Sequence, residues 1–135
     1  MSFAPAAQGW TLLRDPNLPA VAASHWVKED ASGFAFLFGT DERHHNGNGV
    51  VHGGLLATYI DHTMGRTARL AADAKVATIH LDIQYLAGAR PGDFIEARGM
   101  VTRRTRSVIF MAGRLTADGK DIVAATGIWK VLGVL

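Results

Sequence analysis

Sixteen consecutive residues hold most of the chemistry available to this chain: Asn46-Gly47-Asn48-Gly49-Val50-Val51-His52-Gly53-Gly54-Leu55-Leu56-Ala57-Thr58-Tyr59-Ile60-Asp61. They run from a polar loop into a helix. Gly53 and Gly54 at the helix start leave backbone N–H groups uncovered by side chains, where the unpaired first-turn donors and the macrodipole favour negative charge. Such donors can stabilise an oxyanion. Glycines that only permit tight packing or a left-handed turn fit the same two positions. Asp61 lies two turns further on, and its helical neighbours Ala57, Thr58, Met64 and Gly65 include no cation. A carboxylate on a small apolar stripe is costly to bury unless a partner or water reaches it. That suits a general base or a nucleophile; an aspartate bonded to another subunit or to a loop backbone is the other reading.

Other polar residues carry two readings each. Asn46 sits in a Gly/Asn-rich loop, as a turn former or as an amide that orients water or a carbonyl. His52 either faces the reacting group or is satisfied by backbone. His44, His45, His52 and His62 match no zinc-ligand spacing, so no metal site is assigned. Arg103, Arg104 and Arg106 fall at an expected turn between strands, either solvated or available as bidentate phosphate ligands.

The elements that must position these groups follow from periodicity. Phe34-Ala35-Phe36-Leu37-Phe38, bounded by Gly33 and Gly39, reads as a buried strand. From Gly54 to Ala72 the residues Ala57, Asp61, Met64, Gly65, Ala68 and Ala72 follow 3.6-residue spacing, with His62, Arg66, Arg69 and Asp73 as a polar stripe. That is the one long helix expected, roughly 28 Å at 1.5 Å per residue. Period-two segments follow over Val76 to Tyr85, Phe94 to Thr102, Ser107 to Leu115 and Ile122 to Leu132, with Asp118-Gly119 as a hairpin signal. In the first of these Ile79, Leu81, Ile83 and Tyr85 point one way, and Thr78, His80, Asp82 and Gln84 the other. One strand, one helix and a run of antiparallel strands make an α+β fold with the sheet wrapped on the helix. Residues 1–33 carry no clear period beyond a possible short helix over Pro16 to Ser24.

Composition limits the function classes. The 135 residues fit one domain, and 48% hydrophobic against 19% charged leaves surplus apolar surface for a subunit interface. A net charge of +2 argues against a general nucleic-acid or membrane binder. The absence of cysteine excludes disulfides, thiolate metal sites and a cysteine nucleophile. With no signal-like N-terminus and no long apolar run, a soluble cytoplasmic protein is expected.

The string with Asn46 six residues before His52-Gly53-Gly54, and Asp61 eight after Gly53, resembles the phenylacetyl-CoA-type thioesterases of the hotdog superfamily over roughly residues 34 to 133. The resemblance implies a hotdog domain over residues 34–135, with residues 1–33 as an N-terminal extension that matches nothing in the family. It implies hydrolysis of aryl or medium-chain acyl-CoA without metal or redox cofactor. Gly53 would polarise the thioester carbonyl, with Gly54 beside it, and Asp61 would attack the carbonyl or activate water. Asn46 would help bind the carbonyl or water, Thr78 would hold the water or orient Asp61, and His52 would contact the thioester. Arg103, Arg104 and Arg106 would bind the CoA phosphates. Family members are homodimers, often paired into homotetramers, in which Asp61 completes the neighbouring subunit's site. A hotdog hydratase or dehydratase, which would want a paired histidine and acid, and a non-catalytic acyl-CoA sensor are the alternatives.

Overall fold

Period two and period 3.6 resolve into strands and one long helix. The computed structural model describes residues 3–134. In chain order the elements are β1 (Thr11–Arg14), α1 (Ala20–Ala23), β2 (Ser24–Asp30), β3 (Gly33–Gly39), α2 (Gly53–Ala72), β4 (Lys75–Tyr85), β5 (Phe94–Arg104), β6 (Val108–Ala117) and β7 (Lys120–Gly133), with short 3-10 turns at Pro5–Gln8 and Glu42–His44. The strands form one seven-stranded sheet in the order β1-β2-β3-β5-β6-β7-β4, antiparallel throughout. Helix α2 packs on it, giving the hotdog architecture. No helix among the described residues is long and apolar enough to cross a membrane.

Strand β3 is buried on both faces, which explains its unbroken apolar run. Phe36 and Phe38 join the core under α2, while Ala35 and Leu37 pack with Trp10, Trp26 and Phe94 on the other side of the sheet. Strand β2 pairs along β3 from Trp26↔Leu37 to Asp30↔Gly33. The division expected between residues 33 and 34 falls inside β3, one residue past the β2–β3 turn of a single hairpin. The N-terminal segment supplies two strands of the same sheet, and Trp10 to a second small core.

The buried face of α2 runs through Leu56, Tyr59, Ile60, Thr63, Met64, Ala68 and Ala72. Asp61 lies at the margin of that face and not on it, a shift from the stripe read by periodicity. The helix approaches the sheet closely because β5 and β6 carry glycine beneath it. A Cβ on Gly113 would stand 2.7 Å from Met64 Sδ, and one on Gly99 would stand 3.2 Å from Met64 Cα. The hairpin at Asp118-Gly119 has φ of 52° and 75°, the left-handed pair that a two-residue turn demands.

Two further details position the site. The Arg104 guanidinium donates to the Ala71 and Ala72 carbonyls at 2.8 and 3.3 Å, satisfying acceptors left open at the end of α2. In β4, Thr78 pairs with Trp129 but His80 pairs with Ile128, so Ile79 is an extra residue, a β-bulge. The bulge reverses the alternation. Thr78 shares the helix-facing side with Leu81 and Ile83, and Ile79, expected on that side, is 56% exposed.

Candidate active site

The Thr78 hydroxyl donates to Asp61 Oδ1 at 2.7 Å. Without the bulge, Thr78 would face away from the helix and this bond would not form. Asp61 is half-buried, its second carboxylate oxygen accepts from no described residue, and no ion pair involves it. The carboxylate thus stands fixed at one oxygen and available at the other. Both residues line an open cavity of about 280 Å³ with His62, Gly65, Arg66, Arg69, Val76, Ala77 and Trp129.

The start of α2 has the donors that the two glycines suggested. The His52 carbonyl accepts from the Leu55 and Leu56 N–H groups at 3.0 and 3.1 Å, which leaves the N–H of Gly53 and of Gly54 without an acceptor among the described residues. His52 precedes the helix, contributes no side-chain cap and is exposed; its N–H donates to the His44 carbonyl at 2.9 Å. Its imidazole lines neither the cavity that Gly53 lines nor the one holding Asp61. Gly54 has open space where a Cβ would stand.

Asn46 fulfils its turn-forming reading and still faces a cavity. Its Oδ1 accepts from the Asn48 and Val50 N–H groups at 2.8 and 3.3 Å. It lines a second cavity, of about 360 Å³, with Val50, Val51, Gly53, Leu56 and the Tyr85-to-Gly88 segment. Tyr85, not singled out as a site residue by the sequence, donates its hydroxyl to the Gly53 carbonyl at 2.8 Å. Its signal was the shared parity with Leu81 and Ile83, which puts it on the helix side of β4.

The remaining candidates are placed apart. Arg104 is engaged at the end of α2, while Arg103 and Arg106 are exposed and hydrogen-bond to no described residue. His44 is buried, with Nε2 on the Val21 carbonyl at 2.9 Å and Nδ1 accepting from the Asp41 N–H at 2.9 Å. His62 packs edge-on against His25 with ring centroids 5.2 Å apart. Burial and then the charge of His25 lower the His62 pKa to about 4.

One distance governs what a single chain can do. Gly53 and Asp61 are eight residues apart on one helix, about 12 Å along its axis. The cavities that hold them share no residue. One carbonyl cannot touch both in the same chain.

The thioesterase superfamily pattern matches residues 48–124, more than half of the chain and spanning both halves of this site. The chain belongs to the thioesterase superfamily. A protein of Pseudomonas aeruginosa provisionally named an esterase is 29% identical over 93 residues, covering 67% of this superfamily member and 69% of its relative. Among solved structures, zebrafish thioesterase superfamily member 2 superposes with a TM-score of 0.78 at 24% identity, covering 87% of this chain and 88% of that one. A hypothetical thioesterase of Streptococcus pneumoniae, solved with coenzyme A, gives 0.71 at 19% identity, covering 94% and 88%. That pneumococcal protein has also been solved with an aspartate, and separately with a threonine, replaced by alanine.

Proposed function

We propose that this thioesterase-superfamily chain hydrolyses acyl-CoA thioesters to CoA and a free carboxylic acid, with aryl or medium-chain acyl groups as the substrate class. The observation that carries the reading is the Asp61 carboxylate, anchored by Thr78 at one oxygen and free at the other. The free oxygen attacks the thioester carbonyl or takes a proton from the attacking water. The developing oxyanion is stabilised by the unpaired Gly53 N–H, with the Gly54 N–H beside it, at a helix start where negative charge is favoured. The carbon–sulfur bond breaks, CoA leaves as its thiolate, and water supplies the oxygen of the acid. A thiolate needs little acid assistance, so the machinery needed is a carboxylate and an oxyanion site.

The roughly 12 Å between those two groups supports a site shared between two copies, with Asp61 of one chain opposite Gly53 and Asn46 of the other. Strand β4 is an edge of the sheet carrying exposed Ile79 and Tyr85, a surface that a second copy can pair with and cover. Coenzyme A in the pneumococcal relative supports the CoA moiety.

The test is thiol release from aryl and straight-chain acyl-CoAs by wild type and by Asp61→Asn and Asp61→Ala. Turnover in both variants is expected to fall at least ~100-fold with unchanged folding, the size of a single catalytic-group deletion. Near-wild-type kcat in either would sink the assignment. Binding of acyl-CoA without release by wild type would favour a sensor instead.

A further inference from the structure

The Asp61 cavity has a cationic wall that hydrolysis alone does not require. Arg66 and Arg69 both line it, and neither guanidinium hydrogen-bonds or ion-pairs with any described residue. They are three residues apart on α2, so their side chains are neighbours, and like charges at that spacing repel. Ion pairs among the described residues lie elsewhere, at Arg43, Arg98 and Arg114.

A third donor faces the same space. Trp129 is only 1% exposed, yet it lines the cavity, and its Nε1–H has no acceptor among the described residues. The indole edge is turned toward Gly65, where a Cβ would stand 3.2 Å from Nε1. An indole N–H that reaches the cavity from an otherwise buried ring, beside two unpaired guanidinium groups, is a set of donors that no acceptor of a described residue meets.

We propose that this cavity binds a negatively charged group carried by the substrate, held by Arg66, Arg69 and the Trp129 indole N–H. The inference rests on the thioesterase reading and narrows its substrate class. Arg66 and Arg69 stand five and eight residues past Asp61 on α2, about 7 to 12 Å along the axis from the attacking group. The anion is a carboxylate at the far end of the acyl chain or a phosphate of CoA, which share the same recognition chemistry.

The experiment is a two-by-two set of thioesters: pentanoyl and glutaryl groups, each on CoA and on N-acetylcysteamine. The acyl pair differs in a carboxylate, and the carrier pair in the part of CoA that bears its phosphates. In Arg66→Gln/Arg69→Gln, the kcat/KM advantage of the charged member is expected to fall at least ~10-fold along one axis, as for lost charge-assisted hydrogen bonds. Loss along the acyl axis assigns a carboxylate, and loss along the carrier axis assigns the phosphates. Arg66→Lys/Arg69→Lys should restore most of that advantage. Arg14→Gln/Arg114→Gln removes the same charge outside this cavity and should leave both ratios alone. Unchanged ratios in the first variant, or an equal fall in the charge control, overturn the proposal.

Hydrolysis of any of the four esters by wild type keeps the failure of this inference separate from failure of the proposed function. Should wild type cleave none, titration calorimetry with CoA and with glutarate decides the subsite alone. Binding weakened at least tenfold in Arg66→Gln/Arg69→Gln would support it, and no binding of either by wild type would end it.

Discussion

At the scale of single residues, the two hydroxyls that touch the site act on its two halves. Thr78 fixes one oxygen of Asp61, so Thr78→Val, which keeps the shape and removes the donor, leaves the carboxylate free to rotate. Tyr85 acts through a peptide group. Its hydroxyl bonds the Gly53 carbonyl, the other end of the peptide whose N–H belongs to Gly54, and a hydrogen bond at one end strengthens the donor at the other. Each substitution, Thr78→Val and Tyr85→Phe, is expected to lower kcat about fivefold, the worth of one neutral hydrogen bond of about 1 kcal/mol, with KM within about twofold. A rise in KM with kcat intact would show instead that the hydroxyl contacts substrate in the ground state.

At the scale of elements, the bulge in β4 and the glycine opposite it form one device. A Cβ on Gly127 would stand 2.6 Å from the Trp129 ring and 2.7 Å from the His80 carbonyl oxygen, and that backbone atom cannot move without undoing the bulge. Gly127→Ala should cost about 1–3 kcal/mol in denaturant unfolding, against less than about 0.5 kcal/mol for Gly47→Ala in its open loop. Equal costs would mean that the bulge adapts freely. Strand β2 and helix α2 meet at another sensitive contact, His25 against His62, among Phe36 and Phe38. Burial lowers both histidine pKa values, that of His62 from 6.5 to about 4. Between those two values the unfolded chain binds protons that the folded chain refuses, so stability is full above the upper value and falls as pH drops toward the lower one. Melting temperature should therefore decline between about pH 6.5 and 4, and less steeply in His62→Phe. A flat profile across that window would contradict the buried, neutral pair.

At the scale of the molecule, the proposed site needs two copies, and this can be tested without locating the interface. Asp61→Ala removes the carboxylate, and Gly53→Pro removes one oxyanion donor at the first helical position, where proline is tolerated. Each homodimer lacks one half of both sites and should be nearly inactive. In a mixed dimer one site carries both lesions and the other is intact, so random co-assembly should restore about a quarter of wild-type activity. No recovery in a demonstrated heterodimer would place both groups in one chain's site. Light scattering should report a dimer or a tetramer.

The sequence by itself determined the parts that depend on local order. The 3.6-residue pattern marked α2, period two marked β4 to β7, Asp118-Gly119 marked a hairpin, and the loop-to-helix string carried Asn46, Gly53 and Asp61. These are effects of neighbours along the chain, where backbone geometry repeats. Tertiary structure decided what depends on register. Thr78 reaches Asp61 across seventeen residues only because one inserted residue, Ile79, reverses the strand's alternation, and a bulge leaves no periodic signature. Tyr85 reaches Gly53 across thirty-two residues, on the side that its alternation with Leu81 and Ile83 gives, though only the packing of β4 on α2 names the partner. Arg104 read as solvated or as a phosphate ligand, and the structure shows its guanidinium donating to the open carbonyls that end α2, partners thirty-three and thirty-two residues away and beyond the reach of any local pattern. Strand β2 was unreadable as part of the sheet, and Trp10 as its cover, because their partners lie on β3, and a strand buried on both faces needs cover that no local pattern announces.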